Sequence, residues 1–155
     1  MSHYGHFTLR QWLPAPPEAV WARVTTSAGI NDELTPWFSM SLPAEVLPAG
    51  EIRNLALGRC WLRLFGMLPI DYDQLFLVRL APFGFDERSQ MLPRRHWLHR
   101  RRLRALDGGT EVIDRIGFVP RLPSLLGLYR LILLAVFRWR HARLRRHFSV
   151  FPVPR

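Results

Sequence analysis

Between Arg95 and Pro120, polar and apolar residues alternate in two runs joined by Asp107-Gly108-Gly109-Thr110. That pattern predicts a β-hairpin with two unlike faces. Asp and Gly supply the positive φ angles that a two-residue hairpin loop demands. With Gly108 and Gly109 as the loop, Asp107 pairs with Thr110, Leu103 with Asp114, Arg101 with Ile116 and His99 with Phe118. One face then carries Trp97, His99, Arg101, Leu103, Val112, Asp114, Ile116 and Phe118, and the other His96, Arg100, Arg102, Arg104, Glu111, Ile113 and Arg115. The first face points at an interior and takes three ionisable side chains with it.

The same reading places elements along the rest of the chain. Phe7 to Leu13 alternates as a first strand, ended by Pro14. Pro16 and Pro17 with Glu18 mark a helix start, and Val20, Trp21 and Val24 form its buried face. A second short helix is expected near Ala28 to Leu34, before Pro36 extends the chain, and Trp37 to Leu42 reads as a second strand. A third strand is read from Arg59 onward. Asp71 to Leu80 alternates with Tyr72, Gln74, Phe76 and Val78 on one face. Pro82-Phe83-Gly84 is a turn, and Phe85 to Met91 a further strand. From Ser124 to about Ser149 the period becomes helical, with Tyr129, Ile132, Val136, Phe137, Leu144 and Phe148 in register and Ser124 as cap. Such a helix is on the order of 37 Å long. Its C-terminal half carries Arg138, Arg140, His141, Arg143, Arg145, Arg146 and His147. A long helix after a run of strands must lie across the sheet, because both have an apolar face to bury.

Composition narrows this picture. At 155 residues and 48% hydrophobic, the chain can bury one core, so one domain over residues 1–155 is expected. The net charge of +10 rests on 22 arginines, with no lysine. Charge of that size favours polyanions or an acidic partner, and total use of Arg is also what a codon bias produces. Cys60 stands alone, which excludes an intrachain disulfide and points to a reducing compartment. The start MSHYGHF lacks the basic and apolar segments of a signal peptide. The apolar run Leu125 to Trp139 is broken by Arg130 and is shorter than the roughly 20 residues of a membrane span. A soluble, cytoplasmic protein with no transmembrane segment is the expectation.

The order strand, two short helices, six strands and a long helix resembles the START-like (SRPBCC) superfamily. Leu13-Pro14-Ala15-Pro16-Pro17-Glu18-Ala19-Val20-Trp21 is similar to the strand-to-helix passage of these proteins. Trp97-Leu98-His99, with Gly109-Thr110-Glu111-Val112 and Asp114, resembles the late hairpin of polyketide cyclase/dehydrase-like members. Phe137-Arg138-Trp139-Arg140-His141 with Leu144-Arg145-Arg146-His147-Phe148 resembles their closing helix. The likeness runs from about Phe7 to Phe148. It implies an α+β helix-grip fold, a curved antiparallel sheet of about seven strands around the C-terminal helix, with an apolar ligand held between them. It also implies that some members catalyse cyclisation or dehydration there.

Two readings of the inward polar residues stand side by side. In the functional one, His99 is a general acid/base, Arg101 stabilises an enolate or carboxylate, and Asp114 orients Arg101. In the other, Asp114 and Arg101 are a buried ion pair that fixes strand register, with His99 packed on Trp97. Trp97, Phe118, Tyr72, Phe76, Tyr129 and Phe137 are candidate ligand contacts, with Trp61 and Phe65 as further lining, although aromatics at such spacing also build plain core. Arg100, Arg102, Arg104 and Arg115 form an outward anion-binding candidate, with Arg102 opposite Arg115 as a like-charge pair. That face lacks the interleaved aromatics of a nucleic-acid surface. The basic half of the long helix lacks a free apolar face for a membrane. No serine elbow, phosphate loop or dinucleotide fingerprint is present, and no cofactor is implied. His96 and His99 point to opposite faces, and His3 and His6 lie at the terminus, so no metal site is expected. The leading expectation is a binder of a lipid- or polyketide-like molecule; a cyclase/dehydratase using the same pocket and a basic adaptor are the alternatives.

Overall fold

The computed structural model describes residues 3–150. Strand β1 (Gly5–Leu13) leads through Pro14 into helices α1 (Pro17–Val24) and α2 (Ser27–Leu34). Strands β2 (Phe38–Met40), β3 (Ile52–Leu64), β4 (Leu68–Ala81), β5 (Gly84–Met91), β6 (Arg94–Leu106) and β7 (Gly109–Pro120) follow. A 3₁₀ turn (Pro123–Leu125) then opens helix α3 (Leu126–Val150). The strands form one antiparallel sheet in the order β1-β7-β6-β5-β4-β3-β2, curled into a half-barrel around the long helix. None of the described helices is long and apolar enough to cross a membrane.

The β6–β7 hairpin keeps the two faces read from sequence, but its register differs by one pair. The loop is Asp107-Gly108, both at positive φ, so Leu106 pairs with Gly109, Leu103 with Val112, and Arg101 with Asp114. Gly109 is excluded from the loop because it lies against β1, where an added Cβ would sit 2.3 Å from the Leu13 carbonyl oxygen. Asp114 therefore stands directly across from Arg101. On the outer face Arg115 pairs with Arg100, and Arg102 with Ile113, which replaces the expected Arg102–Arg115 pair.

Strand β4 has the opposite phase to the one expected. Asp71, Asp73, Leu75, Leu77 and Leu80 are buried on the concave face. Tyr72 and Phe76 lie on the outer face, where Tyr72 stands edge-on to Trp61 and beneath the Arg59 guanidinium. Both faces of this strand are apolar, so alternation alone could not choose between them. Strand β3 begins earlier than expected, at Ile52, because a bulge at Ala56/Gly58 resets its alternation. On α3 the buried stripe is Leu133, Phe137, His141, Leu144 and Phe148, while Ile132 faces outward.

Helices α1 and α2 close one end of the groove. Thr26 caps α2 by accepting from the Gly29 amide at 3.0 Å. Only glycine fits at 29, where a Cβ would lie 1.9 Å from the Arg23 carbonyl oxygen. This close approach places Glu33, on the last turn of α2, over the concave face of β6.

Candidate functional site

Two polar clusters lie on the concave wall. The first centres on Asp114, which is fully buried. Its Oδ1 accepts from Arg101 Nε at 2.8 Å and lies 2.8 Å from His99 Nε2. Its Oδ2 accepts from Arg101 Nη2 at 2.7 Å and lies 2.7 Å from His141 Nε2. Arg101 also donates from Nη1 and Nη2 to the two oxygens of Glu33, at 3.0 and 3.2 Å. Arg140 Nε donates to Glu33 Oε2 at 3.0 Å. Burial alone would raise both carboxyls, but the Arg101 charge and its hydrogen bonds hold Asp114 well below the ordinary carboxylate range. Arg101 and Arg140 likewise hold Glu33 down. The same partners outweigh the burial of Arg101 and raise it further.

The second cluster is Asp73, Glu87 and Ser89, at the centre of β4 and β5. Ser89 donates its hydroxyl to Glu87 Oε1 at 2.8 Å, and His99 Nδ1 lies 3.6 Å from Glu87 Oε2. Burial, followed by the Glu87 charge and hydrogen bond, pushes Asp73 up to about 9. At neutral pH it keeps its proton. Burial would raise Glu87 too, but His99, Asp73 and Ser89 outweigh it and lower it. Asp73 is 2% exposed, and its Oδ1 has no hydrogen-bond donor among the described residues. Burial also pushes the Cys60 thiol, opposite Asp73 on β3, up to about 12, which makes it a poor nucleophile.

A cavity of about 80 Å³ opens beside the two clusters. Its apolar wall comes from Val24, Ile30, Met40, Leu42, Leu57, Leu75, Leu77 and Phe85, and its polar wall from Asp73, Glu87, His99, Arg101 and Arg140. It lies between the sheet and the α2 side of the grip, and α3 contributes only Arg140.

Of the residues singled out in the sequence, His99, Arg101 and Asp114 come together, and the first two line the cavity. Trp97, Phe118 and Phe137 pack with Phe7, Met91, Ile116 and Leu133 into a closed apolar cluster at the other end of the groove, with Tyr129 against it. They do not line this cavity, because α3 lies directly on them: the Phe137 ring is 6.1 Å from Trp97 and 6.0 Å from Phe7. Tyr72 and Phe76 are on the far side of the sheet. Trp61 and Phe65 are exposed.

Glu33, Asp73, Glu87, Arg140 and His141 were missed. His141 was legible, four residues after Phe137 and three before Leu144 on the buried stripe. Glu33 carried no local signal, since its partner is 68 residues away.

The outward arginines are largely paired. Arg100 and Arg102 share Asp86, and Arg104 bonds Glu111 at 2.6 Å. Among the described residues no three His, Cys, Asp or Glu side chains are arranged to hold a metal ion.

A family described as "Domain of unknown function (DUF8410)" matches residues 11–148. No curated protein matches the sequence. Among solved structures, the ZhuI aromatase/cyclase from Streptomyces sp. R1128 is 15% identical with a TM-score of 0.73, covering 97% of this chain and 98% of that one. Protein CV1439 from Chromobacterium violaceum is 14% identical with a TM-score of 0.69, covering 91% and 95%. Ara h 8.0201 is 13% identical with a TM-score of 0.59, covering 91% and 97%. These likenesses establish the START-like helix-grip fold.

Proposed function

The chain belongs to the domain-of-unknown-function family DUF8410, and from its cavity we propose that it binds a small, mainly apolar molecule between the sheet and the α2 side of the grip. One observation carries this reading: a cavity walled mainly by aliphatic side chains also has a few buried polar groups, Asp73, Glu87, His99, Arg101 and Arg140, in its lining. Small-molecule sites are built in this way, with a few polar groups fixing orientation in an apolar hollow. A helix-grip fold shared with an aromatase/cyclase is compatible with it. A lipid- or polyketide-like ligand of modest size suits such walls.

Native mass spectrometry of freshly purified protein, compared with its denatured mass and a solvent extract, tests this. The expected result is a retained mass of a few hundred daltons that disappears in Leu57→Trp, which fills the cavity. A bare protein that takes up no apolar probe would end the reading.

A second reading, cyclase/dehydratase-type catalysis in the same cavity, is favoured by Asp73 as an acid that holds its proton up to about pH 9. His99, bonded to Asp114 and close to Glu87, would then position that acid pair. A catalyst would lose turnover in Asp73→Asn while keeping its ligand.

A further inference from the structure

Helix α3 has two apolar faces, and the sheet covers only one of them. Leu133, Phe137, Leu144 and Phe148 are buried against the strands. On the opposite side Leu128, Ile132, Ala135 and Trp139 follow one another at spacings of four, three and four residues, all of them exposed. Leu131, 64% exposed, stands beside them. This second stripe runs about 17 Å along the first half of the helix. The expectation of no free apolar face holds for the basic half alone.

The stripe does not end at the helix. The Trp139 indole donates to the Thr35 carbonyl at 2.8 Å and meets Trp37 edge-on, with ring centres 6.0 Å apart. Trp37 lies 6.3 Å from Phe65, whose amide donates to the Trp37 carbonyl. Phe65 opens the β3–β4 turn, where Leu68 is exposed and Met67 is 78% exposed. Three separate segments thus form one exposed apolar surface with two indoles at its centre. Apolar side chains gathered in this way, rather than scattered singly, mark an interaction site.

The charges around the surface identify the partner. No Asp or Glu follows Asp114 in the chain, and none stands between Glu33 and Glu45 or between Glu51 and Asp71. Asp71 itself is buried and holds Arg94. All three segments are therefore free of exposed carboxylates. Farther along α3, Arg138, Arg145 and Arg146 are exposed and have no carboxylate partner among the described residues. Arg146 follows Trp139 by seven residues, about two turns, and so lies on the same side. A two-fold contact with a second copy would set this basic patch against itself. An acidic bilayer supplies what the patch lacks: hydrocarbon for the leucines, an interface for the indoles and phosphates for the arginines. None of the described helices is long and apolar enough to cross a membrane, and the outer stripe of α3 is that of a helix lying in the interface plane.

We propose that this face docks the protein onto an anionic membrane surface, with the first half of α3 in the interface, the β3–β4 turn inserted beside it and the arginines of the second half on lipid headgroups. Docking goes beyond the ligand-binding reading and does not depend on it.

The test is co-sedimentation of the full chain with phosphatidylcholine vesicles that contain about one-third phosphatidylserine, or none, at about 0.15 M salt. Binding to the acidic vesicles is expected, with at least about tenfold less to the neutral ones. Leu131→Glu and Met67→Glu each put a charge on an exposed apolar position, and each should weaken binding by more than about tenfold. Arg146→Gln should weaken it about fivefold, the worth of one cation near an acidic surface. Arg88→Gln makes the same change in net charge on the convex side of the sheet and should alter binding by less than about twofold. All four positions are exposed, so the variants should fold as the unchanged protein does. The tryptophan emission of the unchanged protein should also shift to the blue with acidic vesicles and not with neutral ones.

No binding to the acidic vesicles would overturn the proposal. Equal losses in Arg146→Gln and Arg88→Gln with none in Leu131→Glu would overturn it too, since net charge alone would then account for the attraction. A dimer in analytical ultracentrifugation that Leu131→Glu dissociates would assign the face to a second copy instead.

Discussion

Asp114 and Asp73 are two carboxyls on the same concave wall, one on β7 and one on β4, and each is at most 2% exposed. Their protonation states are opposite. Asp114 is surrounded by a bidentate guanidinium and two imidazoles, and its charge is fixed. Asp73 faces Glu87, and the one guanidinium that acts on it, Arg94, is held by Asp71, so it keeps a proton. Burial is the same for both, and the supply of cations decides the difference. Both oxygens of Asp114 are held by cationic or ring N–H partners, whereas the neighbour that acts most on Asp73 is another acid.

The largest expected effect comes from removing the cation that defines the first cluster. Arg101→Met leaves Asp114 and Glu33 facing each other without their shared guanidinium and should cost about 3–5 kcal/mol in urea unfolding. That is a large share of the roughly 5–15 kcal/mol that such domains have.

Next is the pH dependence, in which the two acids pull in opposite directions. Asp114 and Glu33 lie below their ordinary values of 3.8 and 4.5, so the stability they contribute is present above those values and is lost as pH falls through the folded ones. Asp73 rises from 3.8 to about 9, so the folded chain holds a proton that the unfolded chain releases, and stability falls as pH rises across that window. Asp73→Asn removes this second dependence. Its advantage over the unchanged protein should be absent at the acid end of the window and grow to about 1–3 kcal/mol toward its alkaline end. Urea midpoints measured across the window check the slope; a flat difference would make the two acids alike.

His141→Leu takes one donor from Asp114 Oδ2 but leaves that of Arg101, so a smaller loss of about 1–2 kcal/mol is expected from thermal unfolding. Arg104→Ala removes an exposed partner of Glu111 and should change stability by less than about 0.5 kcal/mol. A larger loss there would mean that the outer arginines do more than solvate the sheet.

The hairpin faces, the two short helices and the closing helix were legible because each has one polar and one apolar side. Strand β4 was not, since Tyr72, Phe76 and Val78 on one face are as apolar as Leu75, Leu77 and Leu80 on the other. Placing Tyr72 inside hid Asp73, and with it part of the polar wall of the cavity. His99, Arg101 and Asp114 were found because they interrupt an apolar face in a hairpin. The aromatics Trp97, Phe118 and Phe137 were correctly placed inward, but nothing in their spacing distinguishes a lined hollow from a filled one. Side-chain volume against α3 decides that, and it is a property of the packed pair rather than of either segment.

The Asp107-Gly108 turn has a consequence for the order in which the charged interior can assemble. Arg101 and Asp114 are 13 residues apart, whereas Glu33 is 68 from Arg101 and 107 from Arg140. Closing a short loop costs less chain entropy than closing a long one, and hairpins zip from the turn within microseconds. The hairpin can thus bring its acid and base together before either helix arrives. Helix α2 then docks an acid onto a pair already matched, and no step of the search has to bury a bare carboxylate.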